Sequence, residues 1–127
     1  VKAACNCDER IELVESPVSM APYFQKADFL IAPVFDGAGM KVKVAEALSY
    51  GMPVVATPHA LIGYAAGVDC LRQADTPEGM ADQINWLLGQ DYALLRDNAV
   101  EVFKEHYSLQ ASRRRVQTIV SEVCHAR

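Results

Sequence analysis

Apolar and polar positions along the chain alternate between two periods. Short runs rich in β-branched residues are followed by stretches whose apolar residues recur at helical spacing. Ile11-Glu12-Leu13-Val14 reads as a short strand stopped by Ser16-Pro17. Met20 through Lys26 fits a helical turn or two, with Met20, Tyr23 and Phe24 on one side. Asp28-Phe29-Leu30-Ile31-Ala32-Pro33-Val34 is a near-continuous apolar run between breakers, the pattern of a strand buried on both faces of a parallel sheet. A glycine-rich turn comes next, then a helix beginning near Met40 with Met40, Val44, Ala47 and Leu48 at i, i+4, i+7, i+8. Gly51 is placed as its left-handed stop, with Pro53 beyond.

Pro53-Val54-Val55-Ala56-Thr57 predicts another apolar strand, and Asp69 to Arg72 a weaker one. Three helices close the chain. Thr76 caps the first, with Pro77 at its first position and Met80, Ile84, Leu87 and Leu88 as the buried stripe. Asp91 caps the second, which carries Leu95, Ala99, Val102 and Phe103. Ser108 caps the third, with Leu109, Val116, Ile119, Val120 and Val123 expected inward. Strands alternating with helices imply βαβ units, so the fold class is α/β, a Rossmann-like parallel sheet flanked by helices.

Composition narrows the picture. With 127 residues, 51% of them hydrophobic, the chain suits one domain over 1–127 with a real core. A net charge of −4 gives no general pull toward nucleic acid or anionic lipid. No apolar run approaches the roughly 20 residues of a membrane span, and there is no signal-peptide layout. The chain opens on Val1, as a processed chain or a piece of a longer polypeptide would. Cys5 and Cys7 form a C-x-C pair far from Cys70 and Cys124, with no histidine at zinc-finger spacing. Free thiols in a reducing compartment are expected, rather than disulfides or a metal site.

The candidate chemistry lies where strand 28–34 runs into Phe35-Asp36-Gly37-Ala38-Gly39. In open parallel sheets, ligands bind at the carboxyl ends of strands, beside helix N-termini. Two glycines flanking an alanine let backbone come close to a ligand and offer unshielded N–H groups. Lys41 and Lys43 sit where they oppose the positive end of the helix dipole, a penalty that a bound diphosphate would reverse. Glu46 lies about 9 Å along a helix starting at Met40, within reach of a ribose attached to such a diphosphate. The residues alone leave two readings open: an anion site, or an ordinary turn with solvated lysines and a Lys43–Glu46 surface pair.

The string Gly37-Ala38-Gly39-Met40-Lys41-Val42-Lys43-Val44-Ala45-Glu46-Ala47-Leu48-Ser49-Tyr50-Gly51-Met52-Pro53-Val54-Val55-Ala56-Thr57 resembles the C-terminal domain of family-4, or group 1, glycosyltransferases. That family has the GT-B architecture of two facing Rossmann-like domains. The likeness extends over about residues 11 to 120. It includes Ala27-Asp28 opening the strand toward Ile31-Ala32-Pro33, Thr57-Pro58 running to Gly63, Asp75-Thr76-Pro77-Glu78 leading to Leu87-Leu88, and Tyr107-Ser108 before the closing helix.

The resemblance implies a retaining transferase that moves a sugar from a nucleoside-diphosphate sugar without a metal or other cofactor. The donor's sugar and diphosphate would lie on Gly37, Ala38, Gly39 and Met40, with Lys41 as a phosphate ligand and Glu46 on the ribose. The family's first motif glutamate falls on Ala38, eight positions before Glu46, so strict spacing departs from the pattern. The nearest acid is Asp36, which is the counterpart if the loop here is longer, and it is taken as the catalytic-site candidate. The family's diphosphate-clamping arginine and lysine would precede residue 1, as would early strands of the sheet. The acceptor site belongs mostly to the N-terminal GT-B domain, the expected partner, so the isolated chain is expected to be inactive. A cytoplasmic location is expected, with peripheral membrane association of the full-length protein open and no nucleic-acid partner. Two other classes remain: a GT-B relative without transferase activity, such as a sugar-nucleotide epimerase, and a non-catalytic α/β interaction domain. His59 has a functional reading at the ligand-facing edge, beside the commoner one of an exposed loop residue. Arg113-Arg114-Arg115 reads as solvated charge, and Trp86 as partial core or domain-interface packing.

Overall fold

A computed structural model of the chain describes residues 8–126. Helix α1 (Ala21–Lys26) leads to strand β1 (Leu30–Ala32), helix α2 (Val42–Ser49), strand β2 (Val54–Ala56) and strand β3 (Leu71–Gln73). Helices α3 (Pro77–Leu88) and α4 (Tyr92–Val102) follow. A π-helical segment (Phe103–Tyr107) then leads into helix α5 (Leu109–His125). The strands form one parallel sheet in the order β1-β2-β3, with Leu30 opposite Val54 and Val54 opposite Leu71. This is the expected α/β arrangement, a Rossmann-like parallel sheet with helices packed on it.

The central strand shows why the sheet is two-faced. Successive side chains of a strand point to opposite sides. Val54 and Ala56 therefore join a core with Val44, Ala47 and Leu48 of α2, while Val55 joins Met80, Leu87 and Leu95 from α3 and α4. Removing most of the Leu48 side chain from such a site costs about 2–5 kcal/mol. The capping residues act as their sequence implies. Thr76 Oγ1 accepts from Gly79 N–H, Asp91 Oδ1 from Ala93 and Leu94, and Ser108 Oγ from Ala111. Gly51 ends α2 at a φ of 70°.

Several expectations are corrected. Residues 11–14 form no strand, and Ile11, Leu13 and Val14 are exposed. A strand needs a ladder to hold its backbone, and the run pairs with none of the described strands. The strand predicted over 28–34 shrinks to Leu30–Ala32, and among the described residues it is an edge strand, with Ile31 45% exposed instead of buried on both faces. Helix α2 starts at Val42 rather than near Met40, which shortens the axial offset of Glu46 from the tip to about 6 Å. In α1 only Phe24 is buried, with Met20 and Tyr23 exposed, and in α3 Leu88 faces solvent.

The largest correction is α5. Leu109, Val116, Ile119, Val120 and Val123 are exposed instead of inward, and Ala111 is the buried residue of the helix. On a helical wheel Ala111 lies across from that apolar stripe, so α5 meets the domain through its first turn with the stripe facing away. Cys70 and Cys124 are free thiols, the first buried and the second exposed, while the Cys5–Cys7 pair lies outside the described residues.

Candidate functional site

Three loops meet at the carboxyl end of the sheet. Thr57, a buried polar residue at the end of β2, ties two of them together. Its hydroxyl donates to the Val34 carbonyl and accepts from Ala60 N–H, while its N–H donates to Ala32 C=O at 3.3 Å. The ends of β1 and β2 are thereby fixed beneath the segment 35–41.

That segment is exposed from Phe35 to Met40. Gly37 and Gly39 adopt φ values of 102° and 73°, a region that side chains with a Cβ rarely occupy. The alternating turn wraps its carbonyls around one cation. Lys41 Nζ donates to the carbonyls of Gly37 at 2.7 Å, Ala38 at 3.2 Å and Gly39 at 3.1 Å. His59, from the loop after β2, donates through Nε2 to the same Gly37 oxygen at 2.8 Å. Asp36 Oδ1 accepts from Gly37 N–H at 2.6 Å. Gly37 is thus held at both its N–H and its carbonyl, and Lys41 neutralises the inward dipoles of the loop rather than standing free.

The tip of α2 completes this end. Its N-cap, Lys41, makes no side-chain cap bond. Val44 N–H donates to Lys41 C=O at 2.9 Å, and Ala45 N–H donates to the hydroxyl of Tyr64 at 3.0 Å. Among the described residues this leaves Val42 and Lys43 N–H as open donors of the first turn, at the positive end of the helix dipole. Lys43 and Glu46 turn to a different side from Lys41. They line an apolar cleft with Met20, Tyr23, Leu30 and Ile31, between α1, the edge of β1 and α2. An ammonium, a carboxylate and apolar walls therefore share one hollow along the flank of α2, which extends from Lys43 to Met52 and includes no residue of the 35–42 segment. Asp36 and Lys41 belong to the loop, and Lys43 and Glu46 to the cleft.

Two further contributors stand behind this end: Tyr64, which carries no motif in the sequence, and Gly63, the last residue of the resemblance over 57–63. Tyr64 links its loop to the first turn of α2, and its ring lies 4.8 Å from that of Tyr107, tilted by 49°. Burial pushes the Tyr64 phenol above its ordinary pKa, with the hydrogen bond from Ala45 opposing the shift and Tyr107 adding to it. Gly63 lets the Met40 side chain pass, since a Cβ there would stand 2.7 Å from Met40 Cγ. Trp86 is half-buried under the Arg72 guanidinium at 4.0 Å, a packing role away from this end. Arg113, Arg114 and Arg115 are exposed. Among the described residues no three His, Cys, Asp or Glu side chains come together to hold a metal ion, and no helix is long and apolar enough to cross a membrane.

A glycine turn leading into a helix tip at the carboxyl end of a parallel sheet stands where ligands of open α/β domains bind. The family model for group 1 glycosyl transferases matches residues 1–90, and the chain belongs to that family. Neither a curated protein nor a solved structure matches the chain. Its chemistry is accordingly glycosyl transfer.

Proposed function

We propose that the chain is the donor-binding part of a retaining glycosyltransferase that uses a nucleoside-diphosphate sugar. The observation that carries this is the first turn of α2, whose open N–H groups follow the exposed glycine loop, with Lys43 and Glu46 on the adjoining flank of the helix. In this reading the diphosphate sits against Val42, Lys43 and the Gly37-Ala38-Gly39-Met40 backbone, and Glu46 accepts the ribose hydroxyls. Lys41 acts on the phosphate through the loop it holds, or directly after exchanging its carbonyl partners for phosphate oxygens. Asp36, exposed beside Gly37, faces the sugar.

The reaction needs a good leaving group more than a protein nucleophile. The bond from the sugar's anomeric carbon to the diphosphate breaks and a bond to the acceptor hydroxyl forms, while the departing diphosphate gains negative charge. Fixed dipoles and cations aimed at that charge lower the barrier, and no metal or cofactor enters the scheme. The acceptor and the remaining diphosphate contacts come from a partner domain of the same protein, so the chain alone has little or no activity. Product analysis of the full-length protein with a nucleotide sugar tests this. The expected product keeps the anomeric configuration of the donor. An inverted product, epimerisation of the sugar without transfer, or robust transfer by the 127-residue chain alone would overturn the respective part.

A further inference from the structure

We infer that Tyr64 is a positioning residue for donor binding, its hydroxyl inserted into the first turn of α2 to set the angle at which the glycine loop meets the helix. The inference rests on the donor-site reading above and assigns a residue to it from outside the motif.

In an uninterrupted helix Ala45 N–H would bond Lys41 C=O directly. Here the Tyr64 hydroxyl stands between them, accepting from Ala45 N–H at 3.0 Å and donating to Lys41 C=O at 2.8 Å. Both capacities of the phenol are thus spent on the two ends of one missing backbone bond. Lys41 has the extended backbone usual for an N-cap residue, with φ −85° and ψ 99°. That conformation brings Lys41 Nζ back over the carbonyls of Gly37, Ala38 and Gly39. One hydroxyl therefore ties the loop after β2 to both the N-cap carbonyl and the first turn of α2, beside the Val42 and Lys43 donors.

The phenol is itself fixed from behind. Tyr107, delivered by the π-helical segment, packs its ring on Tyr64 and accepts from Ala65 N–H at 2.6 Å through its own hydroxyl. A Tyr64 that only filled space would lose little on becoming phenylalanine, because the ring contact with Tyr107 would remain. A positioning hydroxyl would not be replaced so readily. Without it, Ala45 N–H can bond Lys41 C=O directly, a carbonyl that already accepts from Val44 N–H at 2.9 Å, and the loop that carries Tyr64 loses its tie to the helix tip.

The test compares Tyr64→Phe with Tyr92→Phe in the full-length protein. Tyr92→Phe is a control that removes an equally ordinary phenol bond, to Asp28 C=O at 2.7 Å, away from this end. Binding of UDP, GDP and ADP is measured by calorimetry, and backbone amide exchange is followed at Ala45. Tyr64→Phe is expected to weaken the tightest of the three nucleotides about 10-fold and to change Ala45 exchange by at least about 5-fold, the scale of one well-placed hydrogen bond. Tyr92→Phe is expected to change neither. Wild-type binding that Tyr64→Phe leaves intact, or that both variants weaken equally, overturns the assignment of Tyr64 alone. A wild-type protein that binds none of the three overturns the donor-site reading, and this inference with it.

Discussion

The imidazole of His59 donates through Nε2 to the carbonyl oxygen of Gly37 at 2.8 Å, the same oxygen that Lys41 Nζ reaches at 2.7 Å. Two loops that follow adjacent parallel strands are joined at one atom. A net hydrogen bond of this kind contributes about 0.5–1.5 kcal/mol. His59→Ala is therefore expected to speed amide exchange across Gly37-Ala38-Gly39 several-fold while leaving exchange in β2 unchanged. Unaltered loop exchange would show that Lys41 and Asp36 hold the turn without His59.

Gly63 stands at a φ of 86°, with the Met40 side chain where its Cβ would be. Gly63→Ala meets both a left-handed backbone and a collision, and the backbone alone costs roughly 1–2 kcal/mol. Thermal unfolding should register that loss. Met40→Ala in the same chain should relieve the steric part and recover some of it, leaving the backbone part.

Burial pushes the Cys70 thiol up from 9.0 to about 11, its own backbone N–H opposing the shift and Asp69 adding to it. The folded chain thus disfavours the thiolate. Its stability contribution is complete below pH 9 and is lost between pH 9 and about 11, as the unfolded chain ionises and the folded one does not. Unfolding titrations should show wild type losing stability relative to Cys70→Ala across that window. At pH 8, peptide-resolved alkylation should modify exposed Cys124 well before buried Cys70.

The exposed stripe of α5 separates burial from pattern. Ile119→Ser should change the stability of this chain by no more than about 0.5 kcal/mol, because nothing in the described fold covers Ile119. Leu48→Ala, at a fully buried position of the same apolar type, should cost about 2–5 kcal/mol. Comparable losses for the two variants would mean that α5 packs inward.

Much of this was legible in the sequence where local chemistry decides. Thr76, Asp91 and Ser108 cap the helices they precede, because a short side chain with an oxygen at the first turn satisfies orphan N–H groups whatever the tertiary context. Val54-Val55-Ala56 is apolar throughout because helices cover both its faces. Patterns that depend on distant partners misled. The apolar run at 11–14 and the stripe of α5 have the periodicity of buried elements, yet periodicity says only that a face is apolar and not what lies against it. At the site, the loop and Glu46 stood out through glycine and charge, and Lys43 shared that signal. Tyr64 gave none, since a phenol that reaches another element's backbone across 19 residues follows no spacing rule.

The most direct test is a calorimetric titration of UDP, GDP and ADP, with inorganic pyrophosphate in parallel, into the full-length protein and its Glu46→Ala variant. One of the three nucleotides should bind. The variant should bind it at least about 10-fold more weakly, as expected for losing charged hydrogen bonds to ribose, while pyrophosphate affinity is unchanged. Equal nucleotide affinity in both proteins, or no binding of any of the three, would contradict the assignment of the α2 tip and Glu46 to a nucleotide-sugar donor.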